Sequence, residues 1–247
     1  MTVIGLKNIP EVEKGDDIGL LIMKASEKQG ITIENGDVIV VTHKIISKSE
    51  GRLVDLKKVA PSIFAKQISS NAKKDPAYVE TIISEIRRIV KMWRHHLITE
   101  TRHGFVCANA GIDNSNVLGE DKVALLPRDP DLSATHIRNR IKELTGSDIA
   151  VIISDTFGRP WRKGQVNMAI GVSGMNPLKD YRGKKDSTGH ILTVTNIAVA
   201  DELASSAELV MNKADGVPVA IIKGYKYAKG HGSIRDLIRP IHKDLFR

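Results

Sequence analysis

Apolar residues recur along this chain in two patterns, which together predict a mixture of strands and helices. Unbroken runs of β-branched and other apolar residues predict buried strands at residues 37–42, 148–153 and 217–223. Spacings of three and four residues predict amphipathic helices that begin near Asp16, Pro76, Asp131 and Ala198. Shorter strands are expected at residues 2–6, 97–100, 105–108 and 122–126. Because strands and helices do not alternate strictly, the pattern favours a mixed-sheet α/β (mixed α+β) fold.

The helix that begins at Pro76 has the clearest periodicity. Its apolar positions recur on one face, at Val79, Ile82, Ile83, Ile86 and Val90. We therefore predict a helix that reaches Val90. His95 and His96 would then lie near its end, where a solvated surface role is favoured over metal ligation.

No repeat, low-complexity tract or Pro/Ser-rich linker divides the chain. We predict a single unit over residues 1–247, with two intimately joined subdomains as the alternative. Residues 171–189 form the longest stretch without clear periodicity, and a loop of that length is usually functional or mobile. We interpret it as a lid over a substrate, with four cations available to contact it: Lys179, Arg182, Lys184 and Lys185.

The composition is that of a folded globular protein, with 247 residues, 41% hydrophobic and 27% charged. The one cysteine, Cys107, excludes an internal disulfide, and a small buried residue is favoured over a nucleophile because no activating partner is evident. Apolar runs fall far below the roughly 18 residues that a membrane span needs. The N-terminus lacks the features of a secretory leader, so we expect a cytoplasmic protein with no membrane partner.

The formal charge of +8 points to anionic partners. A basic nucleic-acid-binding protein is one interpretation. The basic residues, however, do not concentrate on one helix face, and aromatic residues make up only 4% of the chain, too few for an obvious base-stacking platform. We therefore expect no nucleic-acid partner, and interpret the charge as attraction for small anions.

The common nucleotide and metal motifs are missing. The sequence contains no G-x-x-x-x-G-K-[ST], no G-x-G-x-x-G after a strand and no H-E-x-x-H. Any nucleotide site therefore has to be built differently.

Residues 42–52 form the first of four polar clusters and follow the predicted strand 37–42. Two lysines, two serines and an arginine within eleven residues could donate to phosphate oxygens. The alternative is a solvated basic turn.

Residues 154–165 form a second cluster after the predicted strand 148–153. Asp155 and Thr156 offer adjacent oxygen ligands of the kind that Mg²⁺ uses together with substrate phosphates. Arg159, Arg162 and Lys163 supply cations that could stabilise a transferring phosphoryl group. The alternative is an exposed turn with Arg159 paired to Asp155.

Two further clusters are weaker. Asp113 stands among small and polar residues at 103–117, where it could hold a hard cation or form an ordinary Asx turn. Residues 211–216 end the last predicted helix and could form a simple C-cap.

Five segments in order then give the sequence a family resemblance. They read THKIISKSEGR, HGFVCANAGIDNSNV, ISDTFGRPWRKGQVNMAIG, AVADELASSAELVM and DGVPVAIIKG. Together they resemble the coenzyme F420-0:L-glutamate ligase (F420 gamma-glutamyl ligase) family over residues 9–224. The length is similar to the stand-alone archaeal type rather than to the bacterial fusion.

The resemblance implies a GTP-dependent, amide-forming ligase with a mixed-sheet fold unlike the P-loop and ATP-grasp folds. Such an enzyme converts the terminal carboxylate of the deazaflavin precursor F420-0 to an acyl phosphate, joins L-glutamate to it, and adds a second glutamate through a gamma linkage to give F420-2. Two divalent ions (Mg²⁺ or Mn²⁺), K⁺ and a homodimer are also implied. A non-catalytic protein that binds nucleotide or deazaflavin is the alternative.

Matching motifs carry over three sets of site residues. The implied metal ligands are Asp113, Asp155 and Thr156. The implied nucleotide contacts are Ile9, Pro10, Glu11, Val12, His43, Lys44, Lys48, Asn116, Met211, Asn212, Lys213, Ala214, Asp215, Gly216 and Val217. Our candidates for stabilising the charge that develops on phosphoryl transfer are Lys48, Arg159 and Arg162.

Two positions depart from the family pattern. The family more often has Gln where this chain has His43. At the helix exit, relatives can carry Gly-Glu, with the Glu helping to hold the second metal ion, whereas this chain has Asn212 and Lys213. A protonated lysine cannot ligate a metal ion. We therefore expect Thr156, phosphates and water to supply most of the ligands of the second ion.

Overall fold

The computed structural model describes residues 1–115, 119 and 121–244. The helices are α1 (Ile18–Lys28), α2 (His43–Ser49), α3 (Ile63–Ala72), α4 (Pro76–Glu85), α5 (Pro130–Thr145) and α6 (Val199–Met211). The strands are β1 (Thr2–Leu6), β2 (Val38–Thr42), β3 (Leu53–Asp55), β4 (Ile86–Trp93), β5 (His96–Thr101), β6 (Val106–Ala108), β7 (Lys122–Ala124), β8 (Ala150–Arg159), β9 (Arg162–Ser173), β10 (Lys179–Asp180), β11 (Asn196–Ile197) and β12 (Val219–Lys223).

The centre of the molecule is a five-stranded sheet in the order β1-β12-β2-β8-β9. The β2–β8 pair is parallel and the other three pairs are antiparallel. Residues Val38 to Val41 and Ala150 to Ile153 are fully buried. Since successive strand residues point to opposite faces, helices must cover both faces of the sheet. The mixed-sheet α/β fold predicted from the sequence is confirmed.

Helices α5 and α6 pack on β8 and β9, and α1 packs on α5. Their ends follow the local sequence, because Asp17 and Asp129 accept hydrogen bonds from the first turns of α1 and α5, and Gly146 ends α5 in the left-handed region. Gly171 permits the close approach of α5 to β9, since a Cβ there would lie 2.5 Å from the backbone of Pro130.

Strand β9 lies at the edge of the sheet, and carboxylates satisfy two of its outward amides. The amide of Ala169 donates to Asp201 at 2.9 Å, and the amide of Val172 donates to Asp131 at 2.8 Å. These contacts fix β9 against α6 and α5, and they block further strand pairing at those positions.

A smaller hydrophobic cluster lies apart from the sheet and joins α3, α4, β5 and β7. Ile68, Ile82, Leu97 and Val123 are among its buried members. The three-stranded sheet β4-β5-β6 and the pair β3-β7 belong to the same stretch of chain, between α2 and α5. No helix in the described part of the chain is long and apolar enough to cross a membrane.

The predicted helix from Pro76 to Val90 was wrong in its second half. Helix α4 ends at Glu85, Ile86 is already extended, and residues Ile86–Trp93 form β4, paired with β5. Five of the eight residues in this stretch are β-branched, aromatic or methionine, so pairing with β5 prevails over a helical spacing. His95 and His96 consequently lie at the β4–β5 turn, not at a helix end.

The alternative interpretation of residues 42–52 as a solvated turn was also wrong, because most of them form the buried helix α2. The predicted strand 148–153 begins near the expected place but continues to Arg159, and β9 returns antiparallel to it. Residues 171–189 include the end of β9 and then β10, which pairs with β11. The segment between β10 and β11 is mostly exposed.

Candidate active site

A cavity of about 390 Å³ opens beside the carboxyl end of β2. Thr42 ends this strand next to Ser154 of β8, and Asp155 and Thr156 follow at the same edge. The loop after β1, the first turns of α2 and the exit of α6 form the other walls. The volume is within the ordinary range of ligand pockets.

Most of the predicted site residues lie in this cavity. Those that line it are Ile9, Pro10, Glu11, Val12, Lys44, Lys48, Asp155, Thr156, Met211, Asn212, Lys213, Gly216 and Val217. Ala214 and Asp215 belong to the same exit loop without lining the cavity, and Asn212 Nδ2 donates to Asp215 Oδ2 at 2.8 Å. Asn116 lies outside the described residues.

Helix α2 presents two lysines to the cavity. Lys44 and Lys48 are one turn apart, so they share a face of the helix. Both are more than nine-tenths buried. Each is neutralised by a carboxylate from a distant part of the chain, which explains how a short helix so rich in polar residues can be buried.

Lys44 joins the predicted polar cluster at residues 42–52 to the one at residues 103–117. Its Nζ lies 2.9 Å from Asp113 Oδ2 and donates to Ser115 Oγ at 2.6 Å. Burial favours a raised pKa for the Asp113 carboxyl, but the hydrogen bonds and charge of Lys44 and the amide of Ser115 outweigh it. The pKa of Asp113 therefore lies below its ordinary value of 3.8. Asp113 remains ionised, beside the cavity rather than in its lining.

Lys48 pairs with a different carboxylate, that of Glu11 in the loop after β1. Its Nζ donates to Glu11 Oε1 at 2.5 Å. Lys48 is 7% exposed and Glu11 is 54% exposed, so the carboxylate can move into solvent while the ammonium group stays in place. A phosphate group could therefore replace Glu11 as the partner of Lys48.

Asp155 lies in the floor of the cavity and is 7% exposed. Its Oδ1 accepts from the Thr156 amide at 2.6 Å and lies 3.3 Å from His43 Nε2. His43 itself is fully buried and does not line the cavity. The structure therefore places this predicted nucleotide contact behind Asp155.

Five lining residues were not among the predicted site residues: Thr42, Ile45, Asn167, Glu208 and Pro218. Two of them, Asn167 of β9 and Glu208 of α6, are linked to Thr156 by hydrogen bonds in the cavity wall. Thr156 Oγ1 donates to Asn167 Oδ1 at 2.6 Å, and Asn167 Nδ2 donates to Glu208 Oε2 at 2.8 Å. Asn167 pairs with Thr156 across the hairpin, so recognising β9 would have placed it. Glu208 follows the apolar stripe of α6, and no local pattern distinguishes it from a solvated glutamate.

Arg159 and Arg162 lie at the far end of the β8–β9 hairpin. Neither lines the cavity. Arg159 Nη2 donates to the carbonyl of Lys163 at 2.9 Å, across the turn. The structure therefore separates these two candidates from Lys48, the third.

The charges around the cavity are balanced. Among the residues that the structure describes, its lining contains three lysines (Lys44, Lys48 and Lys213) and three carboxylates (Glu11, Asp155 and Glu208). The positive charge of the whole chain is thus not concentrated in this lining. A nucleotide triphosphate placed here would meet carboxylates as well as lysines, so divalent cations would be required to make the cavity strongly attractive to it.

The donor set supplies only part of the coordination shell of a divalent ion, and water or a ligand has to supply the rest. Within the ranges that the structure describes, no three His, Cys, Asp or Glu side chains are grouped closely enough to hold a metal ion. Asp155 and Thr156 nevertheless offer adjacent oxygens to the cavity. Mg²⁺ commonly binds one or two carboxylates and completes its shell with phosphates and water.

Cys107 is buried, and this burial raises the pKa of its thiol to about 12. The expectation that Cys107 is a small buried residue is confirmed, and the raised pKa of its thiol disfavours the thiolate that a nucleophile needs. The cations proposed for a lid lie around β10 and the exposed segment after it, and none lines the cavity.

Comparison with known proteins agrees with this geometry. The model of the F420-0:Gamma-glutamyl ligase family matches residues 7–224. The chain is 46% identical to the coenzyme F420:L-glutamate ligase of Methanothermobacter thermautotrophicus, and the alignment covers 100% of this chain and 99% of that protein. It is 48% identical to the enzyme of the same name from Methanocaldococcus jannaschii, over 99% of this chain and 96% of that protein. Family model and relatives both span the cavity residues, and the chain belongs to the F420-0:gamma-glutamyl ligase family.

Proposed function

We propose that this chain is a GTP-dependent ligase that adds L-glutamate to coenzyme F420-0. The observation that carries the proposal is one cavity that combines two buried lysines, Lys44 and Lys48, with the adjacent oxygens of Asp155 and Thr156. Membership of a ligase family supplies the reaction class and the acceptor.

The lysines of α2 are the proposed phosphate ligands. Lys48 exchanges Glu11 for phosphate oxygens, and Lys44 keeps Asp113 in place beside the same phosphates. The loop at residues 9–12 and the exit of α6 at residues 211–217 enclose the rest of the nucleotide.

Asp155 and Thr156, with Asp113 nearby, are the proposed ligands of two divalent ions, Mg²⁺ or Mn²⁺. When bound, these ions neutralise the phosphates and polarise the phosphoryl group that is transferred. His43 orients Asp155 from behind, since its Nε2 lies 3.3 Å from the carboxylate.

The proposed reaction has two balanced steps. An oxygen of the terminal F420-0 carboxylate attacks the γ-phosphorus of GTP, the bond to the β-phosphate oxygen breaks, and GDP leaves. The amine of L-glutamate then attacks the carbonyl carbon of the acyl phosphate, inorganic phosphate leaves with the bonding electrons, and the nitrogen loses a proton. A second round at the gamma-carboxylate gives F420-2.

Arg159 and Arg162 remain proposed stabilisers of the charge in the first step. Both residues lie at the end of the hairpin, away from the cavity of their own chain. They would reach that cavity if the hairpin bends, or they would reach the cavity of a second copy in the proposed homodimer. We also propose K⁺ as a monovalent activator, which replacement by Na⁺ during turnover tests.

The decisive experiment incubates the protein with F420-0, GTP, Mn²⁺ and L-glutamate and follows the product by mass spectrometry. We expect a gain of one and then two glutamyl units, with one GDP released for each. Binding of GTP or F420-0 with no mass gain would instead support the non-catalytic alternative. A gain with ATP but not with GTP would overturn the nucleotide assignment.

A further inference from the structure

Three side chains form a hydrogen-bonded chain along the wall of the cavity. Thr156 Oγ1 donates to Asn167 Oδ1 at 2.6 Å, and Asn167 Nδ2 donates to Glu208 Oε2 at 2.8 Å. All three side chains line the cavity, and Asn167 is only 4% exposed. In such a poorly solvated place an unpaired donor or acceptor is costly, so each hydrogen bond is expected to keep one direction.

The direction of this chain is set at its Glu208 end. An ionised carboxylate only accepts hydrogen bonds, so Asn167 must turn its NH₂ group towards Glu208. The amide oxygen of Asn167 then faces Thr156 and can only accept, so the hydroxyl proton of Thr156 must point to Asn167. The lone pairs of Thr156 Oγ1 are thereby left available on the cavity side.

The backbone around Asn167 is held independently of this chain. Asn167 pairs with Thr156 across the β8–β9 hairpin, and Ser205 Oγ of α6 donates to the Asn167 carbonyl at 2.7 Å. Fixing α6 to β9 in this way keeps Glu208 and Thr156 at constant separation, so the side chain of Asn167 fits between them as a rigid spacer.

The position of Glu208 is a second, separate observation. It lies in the last turn of α6, and that turn contains no basic residue. A carboxylate near the negative end of a helix is unfavourable for the stability of the helix. A role in the cavity explains why a carboxylate occupies this turn.

We propose that Glu208 and Asn167 are positioning residues that keep Thr156 Oγ1 as an acceptor, ready to ligate a hard cation or accept from a substrate N–H. The inference rests on the proposed function for its biological meaning. Its test uses Mn²⁺ alone, so that failure of the ligase assay and failure of this inference are distinguishable.

Glu208→Lys is the primary variant, because an ammonium group can only donate hydrogen bonds. The introduced lysine therefore donates to Asn167 Oδ1, the amide of Asn167 turns over, its NH₂ donates to Thr156, and the Thr156 proton points into the cavity. We expect Mn²⁺ binding at least about tenfold weaker, measured by electron paramagnetic resonance, since changes behind metal ligands typically cost 10–100-fold in affinity.

A double-mutant cycle with Thr156→Val separates positioning from general destabilisation. If Glu208 acts through Thr156, the Glu208→Lys substitution causes a smaller loss of Mn²⁺ affinity when it is added to the Thr156→Val variant, because only the effect of the changed charge then remains. An equal loss in both backgrounds would overturn the inference, as would wild-type Mn²⁺ affinity in the single Glu208→Lys variant or no Mn²⁺ binding by the wild type.

A rescue variant covers the case in which Glu208→Lys folds poorly. In the Asn167→Asp, Glu208→Lys double variant, the lysine donates to the aspartate, which in turn accepts from Thr156. The direction at Thr156 is restored, and we expect recovery of most of the Mn²⁺ affinity that the single variant loses. Failure of this rescue in a folded protein would overturn the inference. Glu202→Lys, the same change of charge on the same helix outside the cavity lining, is the matched control and should bind Mn²⁺ as the wild type does.

Discussion

The β8–β9 hairpin has an inner half inside the cavity and an outer half in solvent. In the inner half, Asp155 and Asn167 are 7% and 4% exposed and each has polar partners from other elements. At the outer end, Trp161 is 86% exposed, and Arg159 donates to a carbonyl of its own turn. Residues within eight positions of one another thus have entirely different surroundings.

The difference shows how an extended strand distributes a sequence cluster. Each strand residue advances the chain by about 3.3 Å, so Arg159 lies about 10 Å along β8 from Thr156. In a tight loop the same residues would meet at one ligand. The inner half is therefore expected to determine binding and turnover, and the outer half to act only where something else brings it to a cavity.

The largest effect is expected at Asp155. Asp155→Asn removes the charge in the cavity floor but keeps an oxygen that can accept from the Thr156 amide. Changes behind a metal ligand already cost 10–100-fold, so we expect loss of a ligand charge to lower kcat by more than about 100-fold. Turnover is measured as GDP release in the presence of F420-0 and L-glutamate.

The matched control is Asp121→Asn, at a half-exposed carboxylate that pairs with the exposed Lys57 outside the cavity lining. It should leave turnover unchanged, and thermal unfolding should show both variants to be folded. Normal turnover by Asp155→Asn would remove the inner half of the hairpin from the proposed metal site.

The next largest effect is expected at Lys48. Lys48→Ala removes a buried cation whose present partner is Glu11. A hydrogen bond to a charged group contributes about 1.5–3 kcal/mol, so the Kd for GTP should rise about tenfold to a hundredfold. Calorimetric titration with GTP measures the change.

Lys58→Ala is the control for this change, because Lys58 is 84% exposed and does not line the cavity. Equal Kd values for the wild type and both variants would contradict the assignment of α2 as the phosphate-binding helix.

The fold was predictable where burial imposes a simple pattern. The strands β2, β8 and β12 are buried on both faces, so each begins as an unbroken apolar run in the sequence. Helix α2 was missed because its lysines are buried by pairing with Glu11 and Asp113, which are distant in sequence. Residues 86–93 were assigned to a helix because only their pairing with β5 reveals a strand.

The candidate site was predictable partly from chemistry and partly from motifs. The polar clusters already indicated Lys44, Lys48, Asp155 and Thr156, whereas residues 9–12 came only from the family resemblance, and the structure brings all of these to one cavity. Glu208 was not predictable, since its partner Asn167 lies on a strand that the sequence pattern did not reveal. The structure revealed Asn167 and Glu208 as additional cavity residues, and it showed that Arg159 and Arg162 lie away from the cavity.

Arg162→Ala tests whether the outer half of the hairpin contributes to turnover. If Arg162 acts in phosphoryl transfer, we expect kcat to fall about tenfold while the Kd for GTP is unchanged. This is the effect of losing a weak hydrogen bond to a charged group, about 1.5 kcal/mol.

Mixing this variant with Asp155→Asn then distinguishes the two ways in which the hairpin end could reach a cavity. If it serves the cavity of a second copy, heterodimers contain one intact site, and an equal mixture recovers about a quarter of wild-type activity.

No recovery on mixing would assign the contact to the same copy. Wild-type turnover by the Arg162→Ala variant alone, with Arg159→Ala giving the same result, would contradict any catalytic role for the hairpin end.

The smallest effect is expected for Trp161→Ala. Trp161 is 86% exposed, and removal of such a side chain usually changes the free energy of unfolding by no more than about 0.5 kcal/mol. The contrasting truncation is Ile152→Ala in the inner half, where a fully buried side chain is lost at a cost of about 2–5 kcal/mol. Urea denaturation at two protein concentrations measures the free energy of unfolding of both variants.

A loss of stability for Trp161→Ala that grows with protein concentration would mean that a second copy covers the hairpin end, because only an assembled state depends on concentration. A large loss at both concentrations would mean that the outer half packs on its own chain, and the contrast between the two halves would then be wrong.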